Sequence, residues 1–148
     1  MPAFETEHRI DAPPPAVYAA LIDIPGSPSR IPAIKSVEML TPGECGVGTK
    51  WREKRIMFGK EATEVLELTA LEPDRLVEVG CESHGMRYRT AFELSPDGAG
   101  TRVVLRFEAT PLTAAAKAMA LLAGAMVGMM KKAMEEDLKA IGKSLAAG

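Results

Sequence analysis

The sequence predicts an α+β fold: a curved antiparallel sheet wrapped around one long C-terminal helix, with two short helices near the N-terminus. Three observations predict it. First, no proline interrupts Leu112 to Ala146. Second, Leu112, Ala116, Met119, Ala123, Met126, Met130, Met134, Leu138, Ile141 and Leu145 recur at three- or four-residue spacing, which is one face of a helix. Third, Lys35 to Thr110 reads as short strands joined by turns. A lone helix after a run of strands buries its stripe best against the concave face of their sheet, and a cavity is then enclosed between them.

The elements follow in order. Phe4, Thr6, His8 and Ile10 alternate with Glu5, Glu7 and Arg9, a first strand. Asp11 is placed to cap a helix whose first turn takes Pro13, Pro14 and Pro15, and Val17, Tyr18, Leu21 and Ile22 give it helical spacing. Pro25-Gly26-Ser27-Pro28 breaks that helix, and a short helical turn over Ser29 to Ala33 follows. Strands come next: Val37 and Met39 up to the turn at Thr41-Pro42-Gly43-Glu44, then Thr49 to Met57, Ala62 to Ala70, Leu76 to Ser83 and Met86 to Leu94. Pro96 to Gly100 makes a hairpin turn into the last strand, Thr101 to Ala109, and Pro111 separates it from the helix. Short turns between neighbouring strands make an antiparallel meander. The order is β-α-α-β-β-β-β-β-β-α.

The chain has 148 residues, which the length prior reads as one domain over residues 1–148. A hydrophobic fraction of 47% and a charged fraction of 26% are ordinary for a globular chain with a real core. A net charge of −2 gives no basic footprint for nucleic acid. Met1 to Glu5 lacks the basic and apolar blocks of a secretory signal. Cys45 and Cys81 share no CxxC spacing, so the reading is two reduced cysteines in a cytoplasmic protein, with no metal site and no cofactor implied. Ala118 to Met130 is uncharged and apolar all round, but it is thirteen residues long. A membrane span needs ~20, so stable insertion is not expected.

In the opening strand running into Ile10 to Tyr18, in Gly46-Val47-Gly48-Thr49 leading into Trp51, in Glu72-Pro73-Asp74-Arg75-Leu76, and in Gly98 to Val103, the chain resembles the START-like, Bet v 1-like (SRPBCC) superfamily and, more narrowly, its polyketide cyclase/dehydrase-like group. The resemblance covers nearly the whole chain and implies the helix-grip fold. These motifs are turns and strand starts, so they identify a fold and leave the activity open. Relatives of the cyclase type use polar cavity groups to fold and dehydrate a poly-ketone chain. Tyr88, Arg55 and Glu53 are the residues here that fit such roles.

Strand alternation names the cavity lining. Met86, Tyr88, Thr90, Phe92 and Leu94 share one face, Val103, Leu105 and Phe107 another, and Val77, Val79 and Cys81 a third. These faces are mostly apolar, so the expected ligand is apolar too. In Thr49 to Met57, an inward Trp51 and Met57 bring Glu53 and Arg55 inward with them. That pair would bind a carbonyl, a carboxylate or a phenol, whereas at a twisted strand edge both charges would sit in water. Tyr88 is the best single polar candidate, against the plainer role of a packed phenol. His84 reads as an exposed turn residue and His8 as a core or cavity-edge hydrogen bonder. Glu64 faces in unless a bulge reverses it. Lys131, Lys132, Glu135, Glu136 and Asp137 read as the solvated side of the last helix.

The leading functional reading is a binding module for a small hydrophobic or amphipathic molecule: a lipid, an isoprenoid or an aromatic, polyketide-like compound. Its expected lining is Trp51, Glu53, Arg55, Cys81, Tyr88, Phe92, Phe107, Met119, Met126 and Met130. Five methionines between Met119 and Met134 suit an adaptable pocket. The alternative is a cyclase or dehydratase acting in the same cavity. The third reading is an interaction protein that uses the apolar 118–130 surface for a partner or a homodimer.

Overall fold

The computed structural model describes residues 3–122 and 124–147. Seven strands form one antiparallel sheet: β1 (Ala3–Ile10), β2 (Ile34–Met39), β3 (Lys50–Met57), β4 (Lys60–Glu72), β5 (Leu76–Ser83), β6 (Met86–Asp97) and β7 (Gly100–Pro111). Their spatial order is β1-β7-β6-β5-β4-β3-β2, so the meander runs from β2 to β7 and β1 returns to pair with β7. Two short helices, α1 (Pro14–Ile22) and α2 (Ser27–Arg30), join β1 to β2. The C-terminal helices are α3 (Ala114–Leu122) and α4 (Gly124–Ala147). This is the helix-grip fold, a curved sheet holding a long C-terminal helix.

The sheet is amphipathic by alternation. In β7, Val103, Leu105, Phe107 and Ala109 are buried, while Arg102, Arg106 and Glu108 between them are exposed. The buried set joins Ile10, Val17, Leu94, Leu138 and Ile141 in the main core. Ile24, Trp51, Leu68 and Val77 form a second cluster under the other half of the sheet. Register shifts at Ile34/Ser36 and Leu68/Ala70 interrupt the ladder, as bulges that bend strands do. The convex face carries cross-strand ion pairs such as Arg89 with Glu78 at 3.1 Å and Arg106 with Glu93. Exposed pairs of this kind stabilise little, about 0–1 kcal/mol each.

Three expectations are corrected. The expected single helix is two helices, with 87° between Ala114–Leu121 and Met126–Ala146. Its stripe therefore divides. Ala116, Met134, Leu138, Ile141 and Leu145 pack inward, whereas Met119 is 67% exposed and Leu112 43%. Ala123 lies outside the described residues. Gly124 heads the second segment, and glycine is a weak helix former. Asp11 is no cap: α1 starts from Pro13 without a side-chain cap, and Asp11 pairs with Arg9. The second short helix runs Ser27–Arg30 rather than Ser29 to Ala33, because Pro28 fits its first turn. No single described helix is long and apolar enough to cross a membrane.

Candidate functional site

Between the concave face of the sheet and α4 lies a cavity of about 360 Å³. Leu66, Val79, Phe92, Phe107, Met130 and Met134 give it apolar walls. Met57, Phe58 and Met126 also line it, and Phe58 (39% exposed) and Met126 (46%) reach solvent.

β3 supplies the polar end. Its strict alternation puts Trp51, Glu53 and Arg55 on the cavity side and leaves Lys50, Arg52 and Lys54 exposed. The Arg55 guanidinium bridges two carboxylates. Its Nε donates to Glu53 Oε2 at 2.9 Å, and its Nη1 donates to Asp137 Oδ2 at 3.0 Å. Trp51 Nε1 donates to the other Glu53 oxygen at 3.4 Å. The three charged side chains are 11–19% exposed. Burial acts against the Arg55 charge, but Asp137 and Glu53 outweigh it and hold its pKa above the ordinary value. Burial pushes the Asp137 carboxyl above the usual aspartate value, with Arg55 only partly opposing.

A second polar group sits on β4 to β6. Glu64 accepts a hydrogen bond from Ser83 Oγ at 3.1 Å and a long one from Cys81 Sγ at 3.8 Å. Burial, then the Glu64 charge, raises the Cys81 thiol to about 11, so it is an inert thiol rather than a nucleophile. Cys81 stands opposite Tyr88 in the β5–β6 register, and the Tyr88 hydroxyl has no hydrogen-bond partner among the described residues. Burial and the nearby Glu64 also raise the Tyr88 phenol.

Of the ten expected lining residues, Trp51, Glu53, Arg55, Cys81, Tyr88, Phe92, Phe107, Met126 and Met130 border the cavity. Met119 does not: α3 is bent away from the line of α4 and leaves it at the surface with Leu121, which is 82% exposed. Asp137, which the sequence places in solvent, instead belongs to the site as the second partner of Arg55. Glu135 also turns toward the sheet, where Thr6 Oγ1 donates to it at 2.7 Å. Glu64 faces inward, because the β4 bulge lies beyond it at Leu68/Ala70. His84 is exposed in the β5–β6 turn, and His8 is half-buried on β1 without a side-chain hydrogen bond among the described residues. Among the described residues, no three His, Cys, Asp or Glu side chains are placed to hold a metal ion.

The chain matches, over residues 1–146, the family model described as "Polyketide cyclase / dehydrase and lipid transport". It is similar in structure to a protein of Thermus thermophilus (TM-score 0.79, 24% identity, covering 99% of this chain and 98% of that one). It is also similar to the Zhui aromatase/cyclase of a Streptomyces species (TM-score 0.76, 18% identity, 96% and 92% covered). A START superfamily protein of Mycobacterium smegmatis aligns with TM-score 0.75 at 14% identity, covering 98% and 97%. No curated protein matches the sequence.

Proposed function

Because the chain belongs to the polyketide cyclase/dehydrase and lipid transport family, we propose that it binds one small hydrophobic or amphipathic molecule between the sheet and α4. A lipid, an isoprenoid or an aromatic, polyketide-like compound fits that description, held within one domain over residues 1–148. The observation that carries the reading is the 360 Å³ cavity with apolar walls and a few polar groups gathered in it. Methionines at positions 126, 130 and 134 give that wall adaptable packing. The free cysteines Cys45 and Cys81 support a reducing, cytoplasmic setting.

A cyclase or dehydratase acting in the same cavity is the second reading. Asp137 favours it, since burial moves its carboxyl upward, the direction in which a general acid is tuned.

Native mass spectrometry of protein purified from its own host tests the binding reading. A co-purifying apolar mass is expected, together with micromolar binding of at least one class in titrations with isoprenoids and flat aromatics. A folded protein that carries nothing and binds neither class overturns it.

A further inference from the structure

The polar groups of the cavity are unequal in charge. Three carboxylates line it, Glu53, Glu64 and Asp137, along with two guanidinium groups. Arg55 is spanned by Glu53 and Asp137. Arg30 is paired with Asp23 at 2.9 Å, and its remaining Nη1 is buried with no partner. That nitrogen is sealed beneath Gly26, where an added Cβ would come within 2.8 Å of it. Both cations are therefore already matched by carboxylates, and besides that sealed nitrogen Arg55 Nη2 is left without a hydrogen bond among the described residues. Glu64 is opposite Glu53 in the β3–β4 register, and its two bonds come from a hydroxyl and a weak thiol donor. Tyr88, opposite Cys81 on β6, lines the same cavity, and its hydroxyl has no hydrogen-bond partner among the described residues.

Resting on the binding reading above, we propose that the ligand's polar end is an uncharged hydroxyl, alcohol or phenol, which donates to Glu64 and accepts from Tyr88, and that the cavity rejects carboxylates. The chemistry follows from the donor and acceptor inventory. A hydroxyl oxygen both donates and accepts, so one atom serves both residues. An ammonium donates but has no lone pair for Tyr88. A carboxylate can accept from Tyr88, but it meets the charge of Glu64, and both guanidinium charges are already balanced by other carboxylates, in a site where charges are poorly screened. The excess of acid is already felt by neighbouring groups, for both the Cys81 thiol and the Tyr88 phenol are raised in part by Glu64.

Calorimetric titration at neutral pH with four compounds on one ring system tests this: naphthalene, 2-naphthol, 2-naphthoate and 2-naphthylmethylamine. The naphthol is expected to bind at least about tenfold tighter than the naphthoate. Tyr88→Phe and Glu64→Gln should each weaken the naphthol, and Glu64→Gln should also narrow the gap to the naphthoate. If naphthalene binds but the naphthoate matches or exceeds the naphthol, this proposal falls while the cavity reading stands. A tighter amine overturns the hydroxyl in favour of a cation. If none of the four binds the folded protein, the cavity reading falls and takes the proposal with it. If Glu64→Gln does not fold, Tyr88→Phe decides: unchanged naphthol affinity overturns the paired contact.

Discussion

Glu53 and Glu64 stand directly opposite each other on β3 and β4, two carboxylates on the cavity face of one antiparallel pair. Like charges so placed work against the fold, because side chains opposite each other lie ~5 Å apart at Cβ. Only Glu53 is met by a cation, Arg55 at 2.9 Å. The asymmetry gives opposite expectations for the two residues. Glu64→Gln removes the repulsion, keeps an acceptor for Ser83, and should raise stability by a few tenths to about 1 kcal/mol. Glu53→Gln removes a partner of Arg55 and should lower it. Urea unfolding of both variants checks the pair, and a loss of stability in Glu64→Gln contradicts it.

Arg55 joins β3 to α4 through Glu53 and Asp137. Arg55→Met keeps much of the apolar stem but strands both carboxylates in a site where they are 11% and 19% exposed. Breaking a buried pair by removing one partner costs about 3–5 kcal/mol. A loss of that size in denaturant unfolding is expected, and a loss well under 1 kcal/mol would show that water reaches the cluster freely.

Much of this arrangement is legible in the sequence where one face of an element is wet. Lys50, Arg52 and Lys54 mark the outer side of β3, so Trp51, Glu53 and Arg55 follow inward by period two. The same logic finds Tyr88 and Phe92. It fails at Asp137 for a specific reason. Asp137 is three residues after Met134 and four before Ile141, which is helical stripe spacing, but it follows Glu135 and Glu136 and reads as part of their charged run. The partner that draws it inward, Arg55, is 82 residues away, and no local pattern reports it. The division of the last helix is hidden for the opposite reason. Ala118 to Met130 is apolar on every side, so the spacing shows a stripe whether or not the axis turns.

Phe58 and Gly59 form the two-residue turn between β3 and β4, with φ of 54° and 77°. Positive φ at both positions is the type I′ hairpin, which favours Asn-Gly over an aromatic at the first position. The Phe58 backbone is therefore strained while its ring lines the cavity. Phe58→Asn should stabilise the protein by about 1 kcal/mol and weaken ligand binding. Unchanged affinity would remove Phe58 from the site, and a lower melting temperature would remove the strain.

Met119 and Met130 are both stripe residues by spacing, but only Met130 lines the cavity. Met119→Lys should change stability by no more than about 0.5 kcal/mol, as surface substitutions do, and leave ligand affinity alone. Met130→Ala should lower affinity. Equal losses from the two would mean that α3 folds back over the cavity when ligand binds.

The buried Asp137 carboxyl gives the fold a pH dependence of definite sign. Its pKa is raised above the ordinary aspartate value of 3.8, chiefly by burial, with Arg55 opposing. Over the window between the unfolded and folded values, the native state binds more protons than the unfolded chain. Stability from this group is therefore full below 3.8 and is lost as pH rises through the folded value. Asp137→Asn cannot ionise, yet its amide oxygen still accepts from Arg55. The stability of the parent minus that of Asp137→Asn should fall as pH rises from about 4 toward neutrality, and the subtraction cancels carboxylates elsewhere, such as Glu7, which its hydrogen bond from Arg102 lowers. Urea unfolding of both proteins across that range measures the difference directly. A difference that grows with pH would mean that Arg55 outweighs burial and that the Asp137 pKa is lowered rather than raised in the fold.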